Sequence, residues 1–371
     1  MVINLFIARM RAGGAERVCV NLANEWVKMG HEVHVIVLNL DGDVNTVRMN
    51  EKVYVHSLGV SRMRYAAVPM LRYIRKNKPP FLLVFGNEMG IIVNKLKKYH
   101  LINTPLIERV LNNINVKLGK EEKVSPIIEK YIRKSNAILI DMDYIVAQCN
   151  SMAKQLLDYK VVDSSKMQVI YNPVSSELTE KVRGMRVNRL AKDNKEITFI
   201  GRIDPQKNIP HLLQSFKKLH EKMPKTVLRL VGTGHMDEQM KEYAAELGIS
   251  ESVIFDGVRR DMENVYASSD LVVLTSEYEG LPNCLIEAIG CGIPVVSYDC
   301  PMGPAEIVVD GVNGYLVEYN NIDQMTEKML EALNKEWNVE EIIRSCDKFR
   351  ADKVAEKYID IFDKVLSERR Q

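Results

Sequence analysis

Short, strand-like apolar runs separated by helical patterns recur along all 371 residues, and the series restarts once past the middle. The runs at 2–7, 32–38, 53–58, 81–85, 105–107, 138–140, 144–148 and 167–171 form a first series. A second follows at 196–201, 226–231, 253–255, 271–275 and 294–297. Continuous hydrophobicity marks strands covered on both faces, hence parallel sheets. Helical patterns between them, as at 15–29 and 126–135, give a doubly wound α/β class. The chain is too long for one ordinary core. The polar, basic stretch 172–193 opens on Asn-Pro and holds no strand pattern, so it reads as the linker between two Rossmann-like domains, at 1–172 and 190–345. Helical patterns at 340–348 and 351–368 close the chain. Two such domains are expected to bind ligand in a cleft at the strand carboxyl ends.

Composition excludes several classes. The 6 cysteines have no paired spacing, and no histidine stands at a metal-ligand interval from them, so buried thiols in a reducing compartment are expected. No apolar run is long enough to span a bilayer. The start at Val2 has neither a basic segment nor a cleavage site, so no signal peptide is expected and the cytoplasm is the default location. The net charge of +2 is uneven: residues 1–180 hold 25 basic and 17 acidic side chains, and residues 60–134 hold 16 and 5. That asymmetry calls for an anionic partner.

Three loops carry candidate chemistry. Arg11-Ala-Gly-Gly-Ala-Glu-Arg17 follows the first strand and opens a helix. Gly13 and Gly14 would let backbone approach an anion at a helix N-terminus, although a tight turn alone explains them equally well. Phe199-Ile-Gly-Arg-Ile-Asp-Pro-Gln-Lys-Asn208 follows the first strand of the second series. Arg202 there offers a planar fork and Lys207 a point charge, enough to neutralise a diphosphate without a metal. The plainer alternative pairs Arg202 with Asp204 and leaves Lys207 solvated. Leu274-Thr-Ser-Glu-Tyr-Glu-Gly-Leu-Pro-Asn-Cys-Leu-Ile-Glu287 runs from a strand through a turn into a helix. Pro282 suits a first helical turn, leaving the amides of Gly280, Leu281 and Asn283 open to an anion. Glu279 precedes the helix and Glu287 stands about two turns inside it. At ~1.5 Å per residue the two are ~12 Å apart along the axis, comparable to the ribose-to-sugar distance in a nucleotide-diphosphate sugar.

The Glu279-(seven residues)-Glu287 spacing resembles the signature of retaining glycosyltransferases of family 4, which have the GT-B fold. Gly-Gly-Ala-Glu-Arg at 13–17, Val-Ile-Tyr-Asn-Pro-Val at 169–174, Gly-Arg-x5-Asn at 201–208, Val-Gly-Thr-Gly at 231–234, Phe-Asp-Gly at 255–257 and Asp-Gly-Val-Asn-Gly at 310–314 fit the same family. Residues 297–307 are similar to bacterial members that build surface polysaccharides. The resemblance implies a catalytic set of Glu279 at the donor sugar, Arg202 and Lys207 at the diphosphate, and Arg109 on the acceptor side. It places Glu287 on the ribose and the backbone at Val258 and Arg259 around the base, and brings Gly13–Gly14 to the phosphates. It also implies that the last helix, within 346–371, packs back on the N-domain. The reaction implied is metal-independent transfer from a UDP-sugar, without a cofactor, to a polyprenyl-diphosphate-linked saccharide in capsule, O-antigen or exopolysaccharide synthesis.

Other readings fit less of the chain. Ile138-Leu-Ile-Asp-Met-Asp143 imitates the Asp-x-Asp of metal-dependent transferases, but Asp141 and Asp143 read as turn residues. A nicotinamide oxidoreductase needs the missing Gly-x-Gly-x-x-Gly. A sugar-nucleotide-binding scaffold would have no need of both Lys207 and Glu279, and a sugar-nucleotide epimerase no need of the Glu279–Glu287 spacing. A soluble or protein acceptor stays open. The basic 60–134 region, with Arg62, Arg64, Arg72, Arg75, Lys76 and Lys78 interleaved with Met63, Tyr65, Met70, Leu71 and Tyr73, suits an anionic membrane surface, so a peripheral place on the inner face of the cell membrane is expected. No nucleic-acid motif accompanies the charge.

Overall fold

The computed structural model describes residues 1–11, 13–40, 48–111, 139, 141–158, 162–187 and 194–368. The first series of apolar runs forms a seven-stranded parallel sheet: β1 (Val2–Phe6), β2 (Glu32–Val37), β3 (Tyr54–Ser57), β4 (Leu82–Phe85), β5 (Leu106–Arg109), β6 (Tyr144–Ala147) and β7 (Met167–Val169), in the order β3-β2-β1-β4-β5-β6-β7. β4, β5 and β6 are buried at every residue, and β4 and β6 accordingly read as continuous rather than alternating. The helices of this sheet are α1 (Gly14–Lys28), α2 (Ala67–Asn77), α3 (Asn87–Lys98) and α4 (Asn150–Asp158). The helix expected at 126–135 lies outside the described residues, as do residues 138 and 140 of the strand expected at 138–140, whose one described residue, Leu139, is helical.

The second series forms a six-stranded parallel sheet of β8 (Lys195–Ile200), β9 (Thr226–Val231), β10 (Val253–Gly257), β11 (Leu271–Leu274), β12 (Val295–Tyr298) and β13 (Gly314–Val317), in the order β10-β9-β8-β11-β12-β13. β13 is absent from the sequence reading. It has four residues and opens on Gly314, whose added Cβ would stand 2.0 Å from the Val295 carbonyl oxygen, so a close approach to β12 demands a residue with no strand propensity. The helices here are α5 (Ser176–Val187), α6 (Ile209–Lys222), α7 (Asp237–Glu246), α8 (Met262–Ser268), α9 (Asn283–Gly290), α10 (Pro304–Ile307), α11 (Ile322–Asn334) and α12 (Val339–Ser345). In both sheets the strand order reverses beside the first strand, between β1 and β4 and between β8 and β11. Ligands of open α/β sheets bind at the carboxyl ends of strands flanking such a reversal.

Contacts divide the chain into one unit of Met1–Pro173 with Ala351–Gln371 and another of Val174–Arg350. The stretch read as a linker therefore holds a helix. α5 is fixed by Arg186, which donates to the Ser269 carbonyl at 2.5 Å, and by Lys181, 2.7 Å from Glu263. The last helix, α13 (Ala351–Glu368), belongs to the first unit. Trp26 of α1 meets Tyr358 edge-on at 5.6 Å and donates through Nε1 to the Ala355 carbonyl at 3.2 Å, while Phe81 stacks on Phe362 at 4.3 Å. Burying these rings is worth several kcal/mol, since removing a buried aromatic side chain costs ~3–5 kcal/mol. All six cysteines are buried thiols.

Candidate functional site

The loop after β8 is shaped from beneath by two glycines. Gly232 has φ +135, and a Cβ there would stand 1.9 Å from the Gly201 carbonyl oxygen. One at Gly234 would stand 2.1 Å from the Ile203 oxygen. The turn after β9 thus lies directly against residues 201–204. These glycines entered the sequence reading as family resemblance alone, although a Gly-x-Gly directly after a strand was signal enough for a close backbone approach.

On that support, residues 205–207 form a short 3-10 turn and Asn208 takes a left-handed conformation (φ 48) before α6 begins. Arg202 projects outward, its side chain 69% exposed, with Asp204 2.8 Å away and Gln206 Oε1 at 3.4 Å. The expected pairing of Arg202 with Asp204 is present, and it leaves most of the guanidinium in solvent. Lys207 differs: its Nζ lies 2.5 Å from Glu279 Oε1, both side chains being largely buried. Burial by itself would lower the Lys207 pKa. The Glu279 carboxylate outweighs it and holds the ammonium above its ordinary value, so it is charged at neutral pH.

The loop after β11 is tied to the first by backbone and side chain together. Thr275 Oγ1 donates to the carbonyls of Lys207 and Asn208 at 3.0 and 3.2 Å. The Glu277 amide donates to the Gln206 carbonyl at 2.8 Å, and Gln206 Nε2 donates to the Tyr278 carbonyl, also at 2.8 Å. Ser276 Oγ donates to Glu279 Oε1 at 2.6 Å. On the far side, Gly303 (φ +87) faces residues 280–282, where a Cβ would meet the Gly280 oxygen at 2.5 Å. The Glu279 amide donates to the Pro301 carbonyl at 3.3 Å.

Two expectations for this loop change. Pro282 is the N-cap, not a first-turn residue, and α9 begins at Asn283. Glu287 is therefore about one turn inside the helix rather than two. Gly280, Leu281 and Asn283 each have a partner in this structure, and Pro282 has no N–H to offer. Glu287 is 2% exposed and its Oε2 accepts from the Tyr266 hydroxyl at 2.6 Å. The Cys284 thiol between the two glutamates is pushed up to about 12 by burial, which keeps it protonated.

At the base-framing positions, Val258 is 55% exposed, and Arg259 is turned to Asp256 and Asp261 at 3.0 and 2.6 Å. In the first unit, Gly13 is the extended N-cap of α1 and Gly14 its first residue.

Arg109 requires a correction. It is fully buried; its Nη1 donates to the Tyr358 hydroxyl and its Nη2 to Asn172 Oδ1. It fastens α13 to the end of β5, and a guanidinium occupied in this way does not reach an acceptor. Its neighbour Glu108, on the opposite face of β5, is equally buried, and neither carboxyl oxygen has a partner among the described residues. Asp141 and Asp143 do not converge. Asp141 accepts from Asn94 at 3.2 Å, and Asp143 Oδ2 accepts from Lys97 at 2.5 Å and the Leu106 amide at 2.7 Å.

The family described as Glycosyltransferase Family 4 matches residues 12–178, and that described as Glycosyl transferases group 1 matches residues 183–349. The chain belongs to the family 4 glycosyltransferases. Its two parallel α/β domains are those of the GT-B fold, and it is a transferase enzyme. An uncharacterized glycosyltransferase of Haemophilus influenzae is 28% identical over 94% of both chains. A Campylobacter jejuni transferase named as adding N-acetylgalactosamine to N-acetylgalactosamine-N,N'-diacetylbacillosaminyl-diphospho-undecaprenol is 23% identical over 87% of both. Among solved structures, Anabaena HepE in complex with UDP and glucose superposes with a TM-score of 0.77 at 16% identity, over 97% of this chain and 99% of HepE.

Proposed function

We propose that this glycosyltransferase moves a hexose or N-acetylhexosamine from a UDP-sugar, with retention of configuration, to a polyprenyl-diphosphate-linked saccharide in surface-polysaccharide synthesis. The observation that carries the proposal is the Lys207–Glu279 pair, with Arg202 beside it, at the carboxyl ends of β8 and β11 where the strand order reverses. As the bond between sugar and phosphate breaks, charge develops on the leaving diphosphate. Arg202 and Lys207 stabilise it, which removes the need for a metal. Glu279 takes a hydroxyl of the transferred sugar and Glu287 takes ribose hydroxyls. A donor phosphate oxygen accepts the proton of the attacking hydroxyl. The UDP named in HepE and the diphospho-undecaprenol named in the Campylobacter relative support this choice of donor and acceptor.

The membrane is reached electrostatically. Among the described residues no helix is long and apolar enough to cross a bilayer. Arg62, Arg64, Arg72, Arg75, Lys76 and Lys78 are all exposed around α2. Met70 and Tyr73 belong to the core instead, and the exposed apolar groups among the charges are Tyr65 (55%) and Val68 (57%). Such a surface suits anionic lipid on the cytoplasmic face, and its attraction is screened over ~8–10 Å at ordinary ionic strength. The test is a thermal-shift panel of UDP- and GDP-sugars with and without EDTA, followed by co-sedimentation with anionic and neutral vesicles. Stabilisation by one UDP-sugar in EDTA, with salt-sensitive binding to anionic vesicles, is expected. Stabilisation that needs manganese would overturn the metal-free site, and indifference to anionic vesicles at low salt would favour a soluble acceptor.

A further inference from the structure

The two oxygens of the Glu279 carboxylate are not equivalent. Lys207 Nζ and Ser276 Oγ both hydrogen-bond to Oε1, at 2.5 and 2.6 Å. Oε2 has no hydrogen-bond partner among the described residues, and it is not one of the buried unpartnered atoms. Lysine alone would not produce this asymmetry. An ammonium is a point charge with three donors on a flexible stem, and it can slide between two carboxylate oxygens with little loss. A serine hydroxyl has a single proton and fixed reach. Ser276 is fully buried, and the preceding Thr275 is pinned to the carbonyls of Lys207 and Asn208, so the Ser276 hydroxyl has little freedom to follow a rotating carboxylate.

We infer that Ser276 is a positioning residue for the donor sugar: it commits Oε1 of Glu279 to the protein and leaves Oε2 as the acceptor for one sugar hydroxyl. The inference rests on the reading of Glu279 as the sugar-facing carboxylate and adds what orients it. A carboxylate held by one oxygen keeps its plane fixed before the donor arrives. Without Ser276 the group can turn, share both oxygens with Lys207, and present the sugar with a weaker and more variable acceptor. UDP has no sugar hydroxyl at that position, so its affinity does not depend on Ser276.

The test uses the full-length protein and the UDP-sugar the wild type prefers among UDP-glucose, UDP-galactose and their N-acetyl forms. Dissociation constants for UDP and for the UDP-sugar, and kcat/KM for the UDP-sugar, are measured for wild type, Ser276→Ala and Ser276→Thr. Ser276→Ala should keep UDP affinity within about twofold and lower kcat/KM for the sugar nucleotide about tenfold, the loss of one hydrogen bond to a charged group. Ser276→Thr, which keeps the hydroxyl, should recover most of that loss. Unchanged kcat/KM in Ser276→Ala, or a fall in UDP affinity parallel to it, would overturn the inference while leaving the donor-site reading intact. A wild type that binds UDP but does not distinguish it from any UDP-sugar would overturn both.

Discussion

The Tyr266 hydroxyl of α8 donates to Glu287 Oε2 at 2.6 Å, and both side chains are almost wholly inside the protein. A carboxylate in such a place is stable only because its acceptors are met, so the interaction sets the orientation of Glu287 as well as contributing to folding. Tyr266→Phe should destabilise the protein by ~1–3 kcal/mol in urea denaturation and weaken UDP binding in the surviving fold. A variant as stable as wild type would show that this hydroxyl carries no weight.

Arg202 and Lys207 should separate when stability and activity are measured together. Arg202→Ala removes a mostly exposed group whose ion pair is worth little to the fold. Turnover should drop at least ~10-fold with the melting temperature nearly unchanged. Lys207→Ala strands a largely buried Glu279 and should lower both. Equal melting temperatures with equal losses of turnover would contradict the difference in burial between them.

Arg109 should behave as a structural residue. Arg109→Ala leaves Tyr358 and Asn172 without their donor and opens a cavity beside α13. A loss of roughly 2–5 kcal/mol is expected, and Tyr358→Phe should share part of it. A folded Arg109→Ala protein of normal stability with abolished transfer would restore the acceptor-side assignment.

Glu108 makes a pH-dependent prediction. Burial without a partner raises its pKa well above the ordinary carboxylate range. The folded protein therefore holds this proton more tightly than the unfolded chain. Below the unfolded value of ~4.3 the group has no cost; as pH rises from there to the folded pKa, stability is lost. Glu108→Gln, which imitates the neutral acid, should stabilise the protein at pH 8 and change little near pH 4. Melting curves of the two proteins that run parallel across that range would show that Glu108 is not held neutral.

The sheets were legible because their central strands are buried on both faces, so β4 and β11 stand out as unbroken apolar runs and β1 and β8 as apolar-rich ones. The same visibility located the site, since Arg202, Lys207 and Glu279 fall in the loops directly after two such strands. What sequence hides is direction. Arg109 and Glu108 are charged residues ending a strand, a pattern equally suited to a ligand and to a core, and only the position of α13, 249 residues beyond Arg109 at the Tyr358 contact, decides between them. The parts played by Gly303 and Ser276 are hidden for a related reason: one faces a turn some twenty residues earlier in the chain and the other acts through a hydrogen bond whose geometry no spacing encodes. The α5 helix was missed because its single fully buried residue, Val182, gives almost no amphipathic signal.

The central claim is that Glu287 serves the nucleotide and Glu279 the sugar. It is tested most directly by titrating UDP and the preferred UDP-sugar into wild type, Glu279→Ala and Glu287→Ala by calorimetry. Glu287→Ala should lose UDP affinity by at least ~10-fold, the equivalent of ~1.4 kcal/mol. Glu279→Ala should bind UDP almost as wild type does while losing its preference for the sugar nucleotide. Equal loss of UDP affinity in both variants, or none in either, would contradict the account.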